Sequence, residues 1–215
     1  MNPFLPRRAL LAGLLAMGVT PLLQGCFTAA VTGVGAGALM ISDRRTSGAY
    51  LEDESIEWKA ASLMGKHFGT LNHINITSYN RNVLLTGEVQ NDMVRTEAER
   101  LSKGISNVRF VINELIVSRP SSLGARANDS LVTSNVKARF VDSGRFAANH
   151  VKVVTEARVV FLMGIVTQTE ADLAVAIASR SKGVKNVVRV FEYISEQDAR
   201  RIDGESKRSD RPVEP

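Results

Sequence analysis

The feature that most constrains this chain is a repeat. The stretch HINITSYNRNVLLTGEV (73–89) recurs as HVKVVTEARVVFLMGIV (150–166). His73 matches His150, Val83 matches Val160, Gly87 matches Gly164 and Val89 matches Val166, all at an offset of 77. Further on, KGISNVRFVINELIV (103–117) matches KGVKNVVRVFEYIS (182–195) at an offset of 79, so the second copy carries two extra residues in between. A 215-residue chain that repeats a unit of this size divides into two small modules, each with its own core.

Each copy reads as helix, strand, strand, helix, strand. In the first, residues 54–68 place apolar side chains at helical spacing. Strands follow at Ile74 and Ile76 and at Val83–Val89, joined by the turn sequence YNRN. Asp92 caps a helix to about Lys103, Gly104 ends it, and Val108–Val117 is the last strand. The second copy predicts a helix at 130–142, strands at 151–156 and 159–166, a helix at 169–182 and a strand at 186–194. Gly87 and Gly164 read as a bulge or a close backbone approach. The expected fold class is therefore α+β, with two tandem three-stranded sheets, each covered on one face by two helices.

The N-terminus carries an address rather than a fold. Arg7 and Arg8 precede the apolar run ALLAGLLAMGV (9–19), Thr20 and Pro21 break it, and Leu23-Gln24-Gly25-Cys26 follows. Cys26 is the only cysteine, so it has no internal disulfide partner. The small residue before it and the aliphatic residue three positions earlier resemble a bacterial lipobox, with Gln24 departing from the usual small residue. On that reading residues 1–25 are a signal peptide and Cys26 carries acyl chains, which anchor durably at about 0.8 kcal/mol per buried CH₂. An uncleaved anchor across 9–41 is the competing reading by length, and Pro21 with six glycines between 13 and 37 argues against it. Phe27 after the cysteine, rather than Asp, favours the outer membrane.

The pattern of Gly-Val, an Ala-rich helix and Gly-Val-x-x-Val, here LTGEV…KGISNV and LMGIVTQTEADLAVAIASRSKGVKNV, resembles the BON domain. Two such domains behind a lipobox look like the dual BON-domain outer-membrane lipoproteins of the DolP type. The expected organisation is an acylated linker at 26–53, BON domain 1 at 54–118, a linker at 119–127, BON domain 2 at 128–195 and a disordered tail at 196–215. The tail's polar composition is the reason for the last expectation.

No catalytic chemistry emerges. His67, His73 and His150 are the only histidines, and two of them share one repeat position, which points to structure. No His, Cys, Asp and Glu residues stand at metal-ligand spacing, and GVGAG (33–37) lacks the context of a dinucleotide loop. No cofactor, metal site or catalytic residue is expected. The net charge of +5 and pI near 9.6 raise nucleic acid, but no basic run exceeds two residues and no aromatics interleave.

Charge differs between the copies. Residues 54–118 hold seven basic and seven acidic side chains, and 128–195 hold nine and six, a net +3. On the helix at 130–142, Val132, Val136 and Phe140 form the core stripe. Leu131 projects from the polar side with Asn135 and Ala138, flanked by Lys137 and Arg139. A lone exposed leucine is ordinary by itself. The resemblance implies that this helix of domain 2 binds anionic phospholipid such as phosphatidylglycerol or cardiolipin. Leu131 would enter the membrane interface, while Lys137 and Arg139 hold phosphates. It further implies a non-enzymatic role in outer-membrane integrity, action at division sites, and the outer-membrane protein assembly machinery as a candidate partner. The other reading is a periplasmic chaperone or assembly factor whose sheet edge binds client strands.

Overall fold

The computed structural model describes residues 43–209. The signal segment, Cys26 and the linker up to residue 42 lie outside the described residues, as do residues 210–215. The first repeat runs α1 (Ser47–Phe68), β1 (His73–Tyr79), β2 (Asn82–Val89), α2 (Asp92–Lys103), β3 (Phe110–Asn113) and β4 (Ile116–Val117). The second runs α3 (Leu123–Ser143), β5 (Val151–Glu156), β6 (Val159–Val166), α4 (Gln168–Ser179) and β7 (Asn186–Tyr193), followed by α5 (Glu196–Ser209). In each sheet the second strand is central. β1 pairs antiparallel with β2, which pairs parallel with β3 and β4. β5, β6 and β7 repeat that order.

Two local devices recur in both copies and explain the hairpins. Asn80 and Arg81, and likewise Ala157 and Arg158, all have positive φ (49°, 66°, 50° and 64°). Two left-handed residues in a two-residue turn match the right-handed twist of the strands, but side chains resist that conformation. A buried aspartate on the preceding helix holds each turn. Asp53 accepts from the backbone N–H of Asn80 (2.8 Å) and Arg81 (2.7 Å), and Asp129 from those of Ala157 and Arg158 (both 2.9 Å). The second device is the close approach expected at the glycines. A Cβ on Gly87 would lie 2.1 Å from the His73 carbonyl oxygen, and one on Gly164 would lie 2.4 Å from that of His150.

Strand alternation gives each sheet two apolar faces. Val83, Leu85 and Val89 pack under α1 and α2 with Ile56, Met64 and Ala98. Val153, Val160, Leu162 and Val166 pack under α3 and α4 with Val132, Val136, Phe140 and Ala174. The opposite faces meet each other: Tyr79 and Leu84 of the first repeat pack with Phe161 and Met163 of the second, joined by Ile112, Val188 and Val190. The result is four layers, helices–sheet–sheet–helices. Polar contacts rim this seam, with Asn80 and Asn82 donating to Glu192 (2.8 and 2.7 Å) and Lys152 to Glu57 (2.9 Å).

The strand expected at 108–117 is split into β3 and β4, so the first sheet has four strands; α4 stops at Ser179 instead of 182, and Asn91 instead of Asp92 caps α2. Three boundaries differ more. α1 begins at Ser47 instead of 54, because the Thr46 hydroxyl accepts from the Ala49 N–H. α3 begins at Leu123 instead of 130 under an equivalent cap from Ser122, which takes up much of the linker expected at 119–127. Residues 196–209, expected as the start of a disordered tail, are helical. There Ser195 accepts from the Asp198 N–H, Ala199 is buried, and Asp203 pairs with Arg44. Mean polarity hid those few fixing contacts.

Candidate functional site: a cationic face on the second repeat

α3 lies on the outer layer of the second repeat. Its core stripe of Val132, Val136 and Phe140 is buried, as the angular reading expects. Leu131 stays 70% exposed, and Lys137, Ala138 and Arg139 are exposed beside it. Asn135 is half-buried because its amide donates to the Lys182 carbonyl (3.4 Å). Arg139 donates to the Arg180 carbonyl (2.8 Å). Val141, which the sequence reading did not single out, is likewise exposed, at 67%.

Those bonds draw the turn after α4 against α3. Gly183, at φ 93°, is the point of closest approach: a Cβ there would lie 2.7 Å from Val132 Cγ2. The β5–β6 turn closes the other side, with Arg158 Nε donating to the Gly183 carbonyl (2.9 Å) and Lys185 N–H to the Arg158 carbonyl (2.8 Å). Arg139, Arg158, Arg180, Lys182 and Lys185 are therefore gathered and exposed around the Leu131 side of α3. Among the described residues none of the five forms an ion pair. The carbonyls of Arg158, Arg180, Lys182 and Gly183 are already occupied by guanidinium, amide or backbone donors. The remaining guanidinium and ammonium donors point to solvent.

Sequence reasoning found the helix but missed the loop cations, which stand far along the chain from Leu131. The signal was present in the repeat comparison. Where the second copy has Lys137, Arg139, Arg180 and Lys185, the first has Ala61, Leu63, Leu101 and Ser106. Much of the +3 difference between the copies is concentrated on this one face.

Two buried polar clusters lie elsewhere. At the end of β6 farthest from the cationic face, the Arg44 side chain is 3% exposed and makes paired bonds to Glu170 (2.6 and 2.9 Å) and Asp203 (both 2.9 Å), with a fifth to the Ile165 carbonyl. His150 joins at 3.4 Å from Glu170. Burial by itself would raise the Glu170 carboxyl, but hydrogen bonds from His150, Arg44 and the Thr167 N–H outweigh it and hold the group at about 2. Arg45 bonds Asp43 and Asp53 and stacks over the Tyr79 ring at 4.2 Å. The segment Asp43–Thr46, expected as linker, is thus tied into both repeats. The second cluster gathers His73, Glu88 and Glu156 at the seam, with donor atoms within 4.8 Å of one another.

Family models of the BON domain match residues 52–119 and 128–195, most of the chain. The chain belongs to the BON-domain family. Outer membrane lipoprotein DolP of Haemophilus influenzae is 40% identical over 182 residues, covering 84% of this chain and 94% of that protein. The 21 kDa hemolysin of Actinobacillus pleuropneumoniae is 30% identical over 71% of this chain and 79% of its own length. Osmotically-inducible protein Y of Escherichia coli is 30% identical over 74% and 81%. The αββαβ units described above are two BON domains, and the chain is an outer-membrane lipoprotein of the DolP type. Among the described residues no helix is long and apolar enough to cross a membrane. The cationic face belongs wholly to BON domain 2.

Proposed function

We propose that BON domain 2 binds anionic phospholipid through the α3 face, and that acylated Cys26 holds it at the outer membrane. The protein would thereby support envelope integrity without enzymatic chemistry. The observation that carries this reading is the gathering of five exposed cations around the exposed Leu131 on one side of one domain. Each cation near an anionic surface contributes about 1 kcal/mol, and a leucine at the interface adds apolar burial. Neither term alone gives durable membrane binding. A covalent anchor converts weak headgroup affinity into steady occupancy by raising the local concentration.

Vesicles of phosphatidylglycerol or cardiolipin, against phosphatidylcholine, test the reading. Wild-type protein should bind the anionic vesicles alone, with binding that falls steeply as salt rises. Leu131→Glu should abolish binding, and replacing both Arg180 and Lys182 with Ala should weaken it about 10- to 30-fold, as two cations at about 1 kcal/mol each require. Equal binding by Leu131→Glu would sink the assignment. Binding of unfolded client protein without lipid, unchanged by these substitutions, would favour the assembly-factor reading through the free edges of β1 or β7.

A further inference from the structure

We propose that the seam between the two BON domains holds a divalent transition-metal ion, best matched by Zn²⁺, bound by His73, Glu88 and Glu156. The three come from separate strands. His73 on β1 and Glu88 on β2 are register partners, and Glu156 ends β5 of the other domain. His73 Nδ1 lies 2.9 Å from Glu88 Oε2 and 3.9 Å from Glu156 Oε1. Around an ion with bonds of about 2.1 Å, neighbouring donor atoms stand about 3 to 4 Å apart, so small closures suffice.

Charge favours a cation here. Glu88 and Glu156 are both buried, at 3% and 7% exposure, and among the described residues neither pairs with a lysine or arginine. Their other partners are neutral: the Ser121 N–H on Glu88 (3.1 Å) and the Asn75 amide on Glu156 (2.6 Å). The arginine lining the adjacent cavity, Arg126, donates to the Ser121 hydroxyl and not to either carboxylate, so one imidazole is left to offset two desolvated charges, a role a divalent ion would fill.

A separate observation points to a missing ligand. Thr86 is 1% exposed, and its Oγ1 is a buried oxygen with no hydrogen-bond partner. Val83 and Leu85 face the helices, so Leu84, Thr86 and Glu88 face the other sheet by alternation. Thr86 pairs with Asn75 in register, one step along the face from the His73–Glu88 pair. Its orphaned oxygen therefore looks into the same corner, placed to bond a metal-bound water. Asn75 fits a supporting role as well. Its Nδ2 donates to Glu156 (2.6 Å) and lies 3.3 Å from His73 Nε2, so it steadies the carboxylate and stands against the ring edge opposite Nδ1. A cavity of about 240 Å³, whose lining includes His73, Asn75, Glu156 and Thr133 together with Asp129 and Arg126, gives the ion its way in.

The sequence carried no sign of this, since the three ligands are scattered along the chain at no recognisable spacing. Its consequence is mechanical: one ion would staple β1 and β2 of the first domain to β5 of the second.

The test uses the full-length lipoprotein in detergent, stripped with chelator and titrated with Zn²⁺ by calorimetry, then with Co²⁺ by visible absorption. Wild type should bind one equivalent, raise its midpoint of thermal unfolding, and show Co²⁺ ligand-field bands. Glu156→Gln, and separately His73→Gln, should lose at least 30-fold in affinity together with the bands, while circular dichroism shows them folded. Glu156→Gln keeps the side chain's shape, so loss of fold is not the expected outcome. Absence of stoichiometric binding in the folded wild type would overturn the site. Binding that persists in both variants, through His67 or His150, would overturn it equally.

Discussion

Replacing Arg44 tests whether the segment preceding α1 is a structural member of the fold. Arg44→Ala removes five hydrogen bonds, takes the guanidinium from Asp203 and the Ile165 carbonyl, and leaves Glu170 with only His150 and the Thr167 N–H. Glu170, held at about 2, lies well below the ordinary 4.5 of a glutamate, a gap equivalent to about 3 kcal/mol of stability at neutral pH. His150 and the Thr167 N–H keep a share of that, so Arg44 accounts for part of it. The orphaned carbonyl and lost packing add about 1 kcal/mol. The expected loss is about 2–4 kcal/mol, read by urea unfolding at pH 7. Arg44→Lys, which keeps charge but loses the two-pronged geometry, should cost about half as much. The pH dependence has a definite sign. A depressed carboxylate stabilises above its unfolded pKa and loses that contribution as pH falls from about 4.5 towards 2. In Arg44→Ala the Glu170 carboxyl moves back up, so the gap between variant and wild type should narrow below about pH 4. Amide exchange in α5 should also accelerate, since Asp203 loses its main tie. A variant within about 0.5 kcal/mol of wild type, the range of an ordinary surface substitution, with α5 protected as before, would refute the clamp.

Two further substitutions probe devices shared by both repeats. Gly164→Ala should destabilise by about 2–3 kcal/mol in urea unfolding, because its Cβ would meet the His150 carbonyl at 2.4 Å and the backbone must shift. A loss under about 0.5 kcal/mol would show that the β5–β6 approach is soft. Asp129→Ala should cost about 2–4 kcal/mol by leaving two turn N–H groups of the Ala157–Arg158 turn without acceptors, and Asp129→Asn should cost less; equal losses would place the effect elsewhere.

The repeat made the topology legible because strand and helix periodicity survive in two copies that constrain each other. His73–Val89 and His150–Val166 form hairpins as read, and the glycines stand where backbones touch. What periodicity cannot express is which atoms a polar side chain meets. Asp53 and Asp129 look like ordinary helix residues until the turns they hold are seen. Arg44 sits in a run, DRRTSG, whose composition says linker, yet it is among the most buried charged side chains described. α5 was invisible for the same reason, since its place depends on Ala199 and Asp203 and not on its average polarity. Leu131 could be placed from helix angles alone, whereas Arg158, Arg180, Lys182 and Lys185 could not. Their convergence depends on how two turns close against α3.

The back-to-back arrangement of the sheets has a consequence for how such a protein meets a membrane. Because the inner faces are consumed by the seam, the helices of the two domains look in opposite directions. A surface engaging α3 therefore does not also engage the outer face of α1, where Leu51 and Trp58 are exposed. On the proposed reading, lipid contact is therefore made by one domain at a time, and the charge asymmetry between the copies favours the second. The Arg44 clamp, at the Ile165 end of β6, and the Arg158 corner at its start are separated by about 20 Å of strand. From Cys26 to Arg44 the chain can extend at most about 60 Å. That reach exceeds the strand's length about threefold, so an anchor at Cys26, as proposed, would leave the cationic corner within reach of the same leaflet. Arg44 binds BON domain 2 while Arg45 binds Asp53 of BON domain 1, so the segment before α1 is tied to both domains. On the proposed reading, shortening the chain between Cys26 and Arg44 should cost lipid contact only once its span falls below the length of β6.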